Sequence, residues 1–138
     1  MNKVKNRLLG LVLSVVAFSG SFASAQNEQV KVAFDHMLPN VSGKKMVAVV
    51  VSYPPGAKSL SHHHAGSAFI YAYVLSGSIR SQLGDEPAKI YQVGEGFYEN
   101  PGSFHRISEN ASGIAPASML AIFIVDSNDK ELTTPVKK

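Results

Sequence analysis

The sequence predicts an all-β fold, an antiparallel barrel or sandwich of the jelly-roll type. Three observations predict it: short β-branched and aromatic runs follow one another closely, Gly, Pro, Asn and Ser separate them, and no segment sustains a helical period. The predicted strands are, in order, Val30 to Phe34, Met46 to Tyr53, Phe69 to Leu75, Ile79 to Leu83, Lys89 to Val93, Gly96 to Glu99, His105 to Ser108 and Met119 to Val125.

Turn-forming residues separate these strands. Proline and glycine set the chain direction in most of the intervening segments, because proline fixes φ and glycine accepts backbone conformations that other residues avoid. The turn segments are 39–43, 54–56, 76–78, 84–87, 94–95 and 100–103.

Two of the predicted strands carry apolar residues on both faces, in the runs 46–51 and 119–125. A strand of this kind is covered on both sides, so at least one of the two must lie beneath a second layer. Small barrels often hide an edge or an apolar outer face in a dimer. We therefore expect a homodimer.

The N-terminus is typical of a secretory signal peptide. Three basic residues within the first seven positions precede the apolar run 8–18, and Ala23-Ser24-Ala25 supplies an A-x-A cleavage site. The apolar run is about half the roughly 20 residues that a membrane-spanning helix needs. We predict cleavage after Ala25, export to the periplasm or the medium, and no membrane attachment afterwards.

The predicted organisation has one domain. Residues 1–25 are the cleaved signal peptide, 26–45 an N-terminal strand or arm, 46–126 the barrel, and 127–138 a solvated C-terminal tail that either crosses onto a partner or frays.

Charge and cysteine content exclude several function classes. The full chain has 13 Lys and Arg against 10 Asp and Glu, and three of the basic residues fall in the signal peptide, so the exported part is neutral. A nucleic-acid partner is therefore not expected. The absence of cysteine excludes disulfides, thiolate zinc sites and a cysteine nucleophile, which leaves histidine, carboxylates, hydroxyls or a bound cofactor for any reactive centre.

Four of the five histidines lie in two short stretches. If residues 59–64 are extended, His62 and His64 project from one face and His63 from the other. Two such imidazoles, with His105 after a Pro-Gly turn as a third, suit a divalent transition metal. The same spacing is compatible with an exposed polar strand end that binds metal only adventitiously.

Residues 56–77 resemble the first motif of the cupin superfamily, G-x5-H-x-H followed by Glu and a closing Gly, and residues 94–109 resemble the second, G-x5-P-x-G-x2-H-x3-N. The resemblance extends from Val47 to Val125. It implies a small single-domain RmlC-like cupin of the type-2 motif pair, with a double-stranded β-helix. It further implies a metal at the barrel mouth, with His62, His64 and His105 as ligands and Fe, Mn, Ni, Cu or Zn as the ion.

The sequence departs from this pattern. No carboxylate occupies the first-motif Glu position, which falls between Ala68 and Ile70. Glu99, six residues before His105, is the nearest replacement and the candidate catalytic residue, with Glu109 as the other identifiable general acid or base. The alternative for Glu99 is an exposed strand residue beside a turn. In the second motif Asn100 and Glu109 replace the expected Pro and Asn, while Pro101 and Asn110 follow each by one place.

Four further polar side chains are candidates for contact with the site. Tyr71 and Tyr73 could bring a phenol, although packing against a neighbouring sheet is the favoured interpretation. Arg80 and Gln82 could recognise a polar ligand, or be solvated, and His36 has no predicted role.

Two functions follow from these observations. The first is a small metalloenzyme, dioxygenase-, lyase- or isomerase-like, acting on a small oxygenated or aromatic substrate at open coordination positions. The alternative is a non-catalytic module that binds a small molecule or a metal. In a third possibility, a metal-free cupin, the histidines merely line a polar pocket.

Overall fold

The computed structural model describes residues 27–136, and the predicted signal peptide, residues 1–25, lies outside this range. The described chain folds into ten strands without a helix, so no helix in it is long and apolar enough to cross a bilayer. The strands are β1 (Gln29–Met37), β2 (Lys44–Tyr53), β3 (His62–His64), β4 (Phe69–Ser76), β5 (Ser78–Leu83), β6 (Lys89–Gln92), β7 (Gly96–Glu99), β8 (Phe104–Asn110), β9 (Ala117–Asp126) and β10 (Thr133–Pro135).

The strands form two five-stranded antiparallel sheets that face each other. The first has the order β1-β2-β9-β4-β7 and the second β10-β3-β8-β5-β6. Strand β9 shows how the core is built, because its side chains alternate strictly between buried and half-buried positions along ten residues. The inward rows of both sheets form one apolar core. The predicted all-β jelly-roll fold, a double-stranded β-helix, is confirmed.

Gly77 makes the tight connection between β4 and β5 possible. Its φ of +65° lies in the left-handed region, and a Cβ atom there would approach the carbonyl oxygen of Pro116 to 2.5 Å. The closing glycine of the first motif is therefore required by backbone conformation and by space.

Two strands differ from the sequence-based expectation. Strand β3 consists of three histidines, which have no strong preference for strands, and β10 lies within the tail that was expected to be solvated. The two pair with each other, Thr133 opposite His64 and Pro135 opposite His62. Leu132 packs against the core just before β10. The tail is ordered because it satisfies the free edge of β3 and buries one apolar side chain.

Candidate metal centre

Strand pairing brings the two histidine stretches together. His62 lies directly opposite His105 where β3 pairs with β8. Alternation along β3 then turns His62 and His64 inward, while His63 faces outward and stacks on Phe104 with ring centroids 4.8 Å apart. One ring nitrogen from each of His62, His64 and His105 lies within 4.8 Å of the other two. The three could therefore hold one metal ion.

Backbone contacts set the protonation of the His62 ring. Its Nδ1 lies 2.8 Å from the carbonyl oxygen of Leu60, which can only accept, so Nδ1 carries the proton and Nε2 keeps its lone pair. Burial lowers the pKa of His62 to about 4, against a smaller opposing effect of the Leu60 hydrogen bond. The ring is thus neutral near pH 7, as a metal ligand must be.

His64 has a buried ring nitrogen that a cation could contact. Its Nδ1 faces the carbonyl oxygen of Leu132 at 3.4 Å, while its Nε2 is buried without a hydrogen-bond partner among the described residues. A Glu99 carboxylate oxygen lies 3.1 Å from this nitrogen. Two atoms that both carry lone pairs repel at that distance unless a proton or a cation lies between them. A metal ion fits this arrangement.

Glu99 reaches the centre from the opposite sheet. Its side chain is 3% exposed, with Oε2 near His64, Oε1 3.2 Å from His105 Nδ1, and Ser103 Oγ donating to Oε2 at 3.0 Å. The alternative prediction of an exposed strand residue is wrong. Burial alone would raise the pKa of the Glu99 carboxyl, but the imidazoles of His105 and His64 beside its oxygens outweigh burial and hold the pKa well below the usual range.

The position of Glu99 in the sheet compensates for the missing first-motif carboxylate. Glu99 on β7 is the direct cross-strand partner of Ile70 on β4, at the end of the stretch where the first-motif Glu was expected. Directly opposed residues have Cβ atoms about 5 Å apart and share a face. The carboxylate therefore lies on the strand adjacent to the one where the first motif would place it. Ligands bonded to one metal at about 2.1 Å are roughly 3.0 to 3.4 Å apart, which matches the separations of the Glu99 oxygens from the two imidazoles.

Ser81 holds the third imidazole in place. The Oγ of this buried serine lies 2.9 Å from His105 Nε2, and Glu99 occupies the Nδ1 side of the ring, so both nitrogens of His105 are fixed. Partners of this kind set the tautomer and the orientation of a ligating histidine. Nothing in the sequence singled out Ser81, because an inward-facing serine on a strand has no distinctive pattern.

The three histidines and Glu99 line a cavity of about 530 Å³ between the sheets. Most of its wall is aliphatic, from inward residues of β2, β4 and β9 such as Val49, Val51 and Ala121. Val30 and Val32 of β1 extend this wall toward the mouth. A volume of this size suits a small molecule, and a mainly apolar wall with a few polar groups at one point is the usual form of such a site.

The other side chains considered from the sequence lie elsewhere. Tyr71 and Tyr73 project from the outer face of the first sheet and do not line the cavity. Arg80 pairs with Glu109 at 2.7 Å on the outside of the second sheet. Gln82 donates to the carbonyl oxygen of Glu86 on the surface.

Sequence reasoning missed several residues of the cavity. Tyr53, Ser59 and Ser108 form a hydroxyl cluster in its wall, and Leu132 and Thr133 of the C-terminal segment border it. Leu132 could have indicated that the C-terminal segment packs against the core, because it is an apolar residue in a mainly polar segment. The hydroxyl residues gave no signal, since serine and tyrosine occur throughout the chain.

Known structures share this architecture at low sequence identity. An uncharacterized conserved protein with a double-stranded β-helix domain from Klebsiella pneumoniae matches with a TM-score of 0.61 and 17% identity over 83% of this chain and 89% of that one. KdgF from a Halomonas species matches with a TM-score of 0.56 and 17% identity over 76% of this chain and 84% of that one. The DMSP lyase DddQ from Ruegeria pomeroyi has a TM-score of 0.62 and 17% identity, covering 89% of this chain and 61% of its own.

No curated protein matches the sequence significantly. The family model described as the Cupin domain matches residues 49–123, which is more than half of the chain and includes both histidine stretches. Its span agrees with the two motifs and with the double-stranded β-helix. The chain therefore belongs to the Cupin domain family.

Proposed function

We propose that this chain is an exported metalloenzyme that holds a divalent transition metal through His62, His64 and His105, with Glu99 as the fourth ligand. The observation that carries the proposal is the buried Nε2 of His64, which faces a carboxylate without a hydrogen-bond partner among the described residues. Three imidazoles and one carboxylate suit Fe, Mn, Ni, Cu or Zn.

Each ligand has a defined part in this centre. The three imidazoles supply lone pairs, and Ser81 and the Leu60 carbonyl keep two of the rings in orientation. Glu99 supplies one negative charge, which offsets half the charge of a divalent ion. When bound, the metal supplies Lewis-acid chemistry, polarising an oxygen of the substrate.

The cavity determines what can reach the centre. Its aliphatic wall excludes water from one side of a bound molecule and accommodates an apolar body, while the polar groups at the histidines orient an oxygen function. We infer a small oxygenated or aromatic substrate. DddQ, described as a DMSP lyase, shows that this fold accommodates a lyase, which supports an enzymatic role without selecting the reaction.

The test uses untagged protein purified from the exported fraction. We expect a bound transition metal, turnover of a small oxygenated compound in a substrate screen, and loss of that turnover in His105→Ala. A ligand that protects the metal-loaded protein against heating but yields no product in either protein supports the alternative, a non-catalytic binding module. Trace metal in the wild type contradicts the metal centre itself.

Export is part of the proposal and depends on residues 1–25. We place the protein in the periplasm or the medium because the basic start, the apolar run and the A-x-A site form a signal peptide. The same preparation tests this, because the exported protein should begin at Gln26. Full-length protein confined to the cytoplasm would contradict export.

We also propose a homodimer formed by the outer face of the first sheet. One register row crosses all five strands and places Phe34, Ala48, Ile122, Tyr71 and Tyr98 side by side on this face. Phe34 is 49% exposed, Tyr71 44% and Tyr98 60%.

The area of this face supports a second copy as its occupant. Together with Phe69 and Tyr73, the aromatic rings of this row expose roughly 450 Å². Half-buried aliphatic residues such as Val50 and Leu120 lie among them and add to it. The aromatic rings alone thus reach the size of the largest apolar patch on a typical monomer, about 300 to 600 Å², and the aliphatic residues extend the face toward the roughly 800 Å² that each partner buries in a stable interface.

A charge in the middle of this face should separate the copies. In Ile122→Asp, a carboxylate would be buried without a partner in the interface, so we expect a monomer by light scattering where the wild type is a dimer. Ile90→Asp places the same change on the outside of the second sheet and should stay dimeric. A monomeric wild type, or a dimeric Ile122→Asp, contradicts this interface.

A further inference from the structure

Three hydroxyl groups meet in the cavity wall apart from the histidines. The Tyr53 hydroxyl lies 2.8 Å from Ser59 Oγ and 2.8 Å from Ser108 Oγ. All three residues line the cavity, and Tyr53 and Ser108 are buried. We call Tyr53, Ser59 and Ser108 the hydroxyl cluster. It is a polar point in a wall that is mainly apolar.

The three hydroxyl groups have one more donor proton than the hydrogen bonds between them require. Each hydroxyl group brings one proton to donate, which makes three, while two hydrogen bonds join the groups and consume two. Among the described residues no further acceptor contacts either serine hydroxyl. Either atom of each bond can be the donor, so the remaining proton belongs to the serine that accepts from Tyr53 or, where both serines donate, to Tyr53 itself. All three residues line the cavity, where a ligand can meet that proton.

All three groups remain protonated donors. Burial raises the pKa of Tyr53 above its ordinary value, more than the hydrogen bonds with Ser108 and Ser59 lower it, and the nearby Glu28 and Glu99 carboxylates raise it further. The phenol therefore stays neutral near pH 7, and the cluster offers a hydrogen bond without offering a charge.

The surroundings also select against an anion. Glu28 and Glu99 both line the cavity, and no lysine or arginine does so within the described chain. With the Glu99 charge offset by the proposed metal, a second carboxylate on a ligand would be desolvated near Glu28 without a basic side chain to pair with. A neutral oxygen acceptor incurs neither the desolvation cost of a charge nor repulsion by a carboxylate.

We propose that the hydroxyl cluster is a second binding point, which donates a hydrogen bond to a neutral carbonyl or ether oxygen of the cavity ligand. The ligand class is thus a small molecule with a metal-binding oxygen function at one end, an apolar body, and a neutral oxygen acceptor at the other. The first of these features depends on the proposed metal centre; the other two depend on the cluster and the aliphatic wall.

Paired alkyl hydroxamates test the cluster on zinc-loaded protein. The hydroxamate group binds zinc. Each alkyl hydroxamate in a series of increasing alkyl length is compared with an analogue of the same length that carries a ketone near the end away from the hydroxamate. We expect the ketone to bind roughly three- to tenfold tighter at one chain length, as a single hydrogen bond provides. Calorimetry measures both affinities.

A variant without the hydroxyl groups should lose this preference. Tyr53→Phe combined with Ser59→Ala and Ser108→Ala removes donors and acceptors together, a change that costs little stability when no group is left unpaired. In this variant the alkyl hydroxamate and its ketone analogue should bind equally. The affinity of the hydroxamate without the ketone should be the same as in the wild type. Thr134→Val, on the same strand but outside the cavity lining, removes one hydroxyl group and should keep the preference.

The outcomes separate the cluster from the metal centre. If the wild type binds the two kinds of probe equally at every alkyl length, the cluster proposal alone is overturned. The same holds if the triple variant still prefers the ketone probe. Failure of every hydroxamate to bind overturns the metal centre and this proposal with it. If the triple variant does not fold, the infrared stretch of an isotope-labelled ketone in the wild type decides, because a hydrogen bond lowers its frequency and an unshifted band overturns the proposal.

Discussion

Replacing His62 and His64 together by alanine is expected to abolish metal binding. The change removes two of three imidazoles and leaves His105 and Glu99, too few ligands for a transition metal to remain bound through purification. Metal analysis of untagged protein should give about one ion per wild-type chain and less than about a tenth of that in the variant. The stabilisation that comes from metal should vanish as well, about 4 kcal/mol at a free metal concentration 1,000 times the dissociation constant.

His63→Ala is the matched control for this experiment. His63 lies between the two ligands on the same strand, but it faces outward against Phe104. Its removal should leave the metal content unchanged. Equal metal in this control and in the double variant would show that the ion binds an exposed histidine run rather than the cavity. The melting temperature of each metal-free variant shows whether the fold survives.

Glu99→Gln should weaken metal binding by a factor of about 100. The amide keeps the size of the side chain but loses the negative charge that faces the His64 and His105 nitrogens at 3.1 and 3.2 Å. Competition with a chelator of known affinity measures the change. The metal-free variant should stay folded, because no group of different volume enters the core.

Glu95→Gln serves as the comparison for Glu99→Gln. Glu95 lies in the exposed turn before β7, where its carboxylate accepts from the backbone of Gln92. The same loss of charge there should leave the metal affinity unchanged. If Glu99→Gln also binds metal within about threefold of the wild type, Glu99 is no ligand, since loss of even an indirect partner usually costs 10- to 100-fold.

Much of the fold could be predicted because alternation and turn residues are local signals. Strand β9 alternates along its whole length, and each predicted strand lies within or close to an observed one. Strands β3 and β10 were not predicted, because both depend on distant pairing: β3 lies between β8 and β10, and the partners of β10 on β3 are about seventy positions earlier in the chain. Short-range patterns carry no information on such a contact.

The candidate site was partly predictable for the same reason. His62 and His64 share a face by strand geometry alone, and the resemblance to cupins paired them with His105. The inward direction of Glu99 depends on the register of β7 against β4, where it lies opposite Ile70. The hydroxyl cluster depends on three separate segments that meet in space, so no single stretch of sequence indicates it.

The pairing of β10 with β3 determines when the surroundings of His64 are complete. Strand β3 has β8 along one edge and β10 along the other, and the Leu132 carbonyl beside β10 faces His64 Nδ1. Until residues 132–135 have joined the fold, one edge of β3 is unpaired and His64 Nδ1 lacks this neighbour. Fraying of this short segment alone would therefore disturb His64 while the rest of the second sheet stays paired.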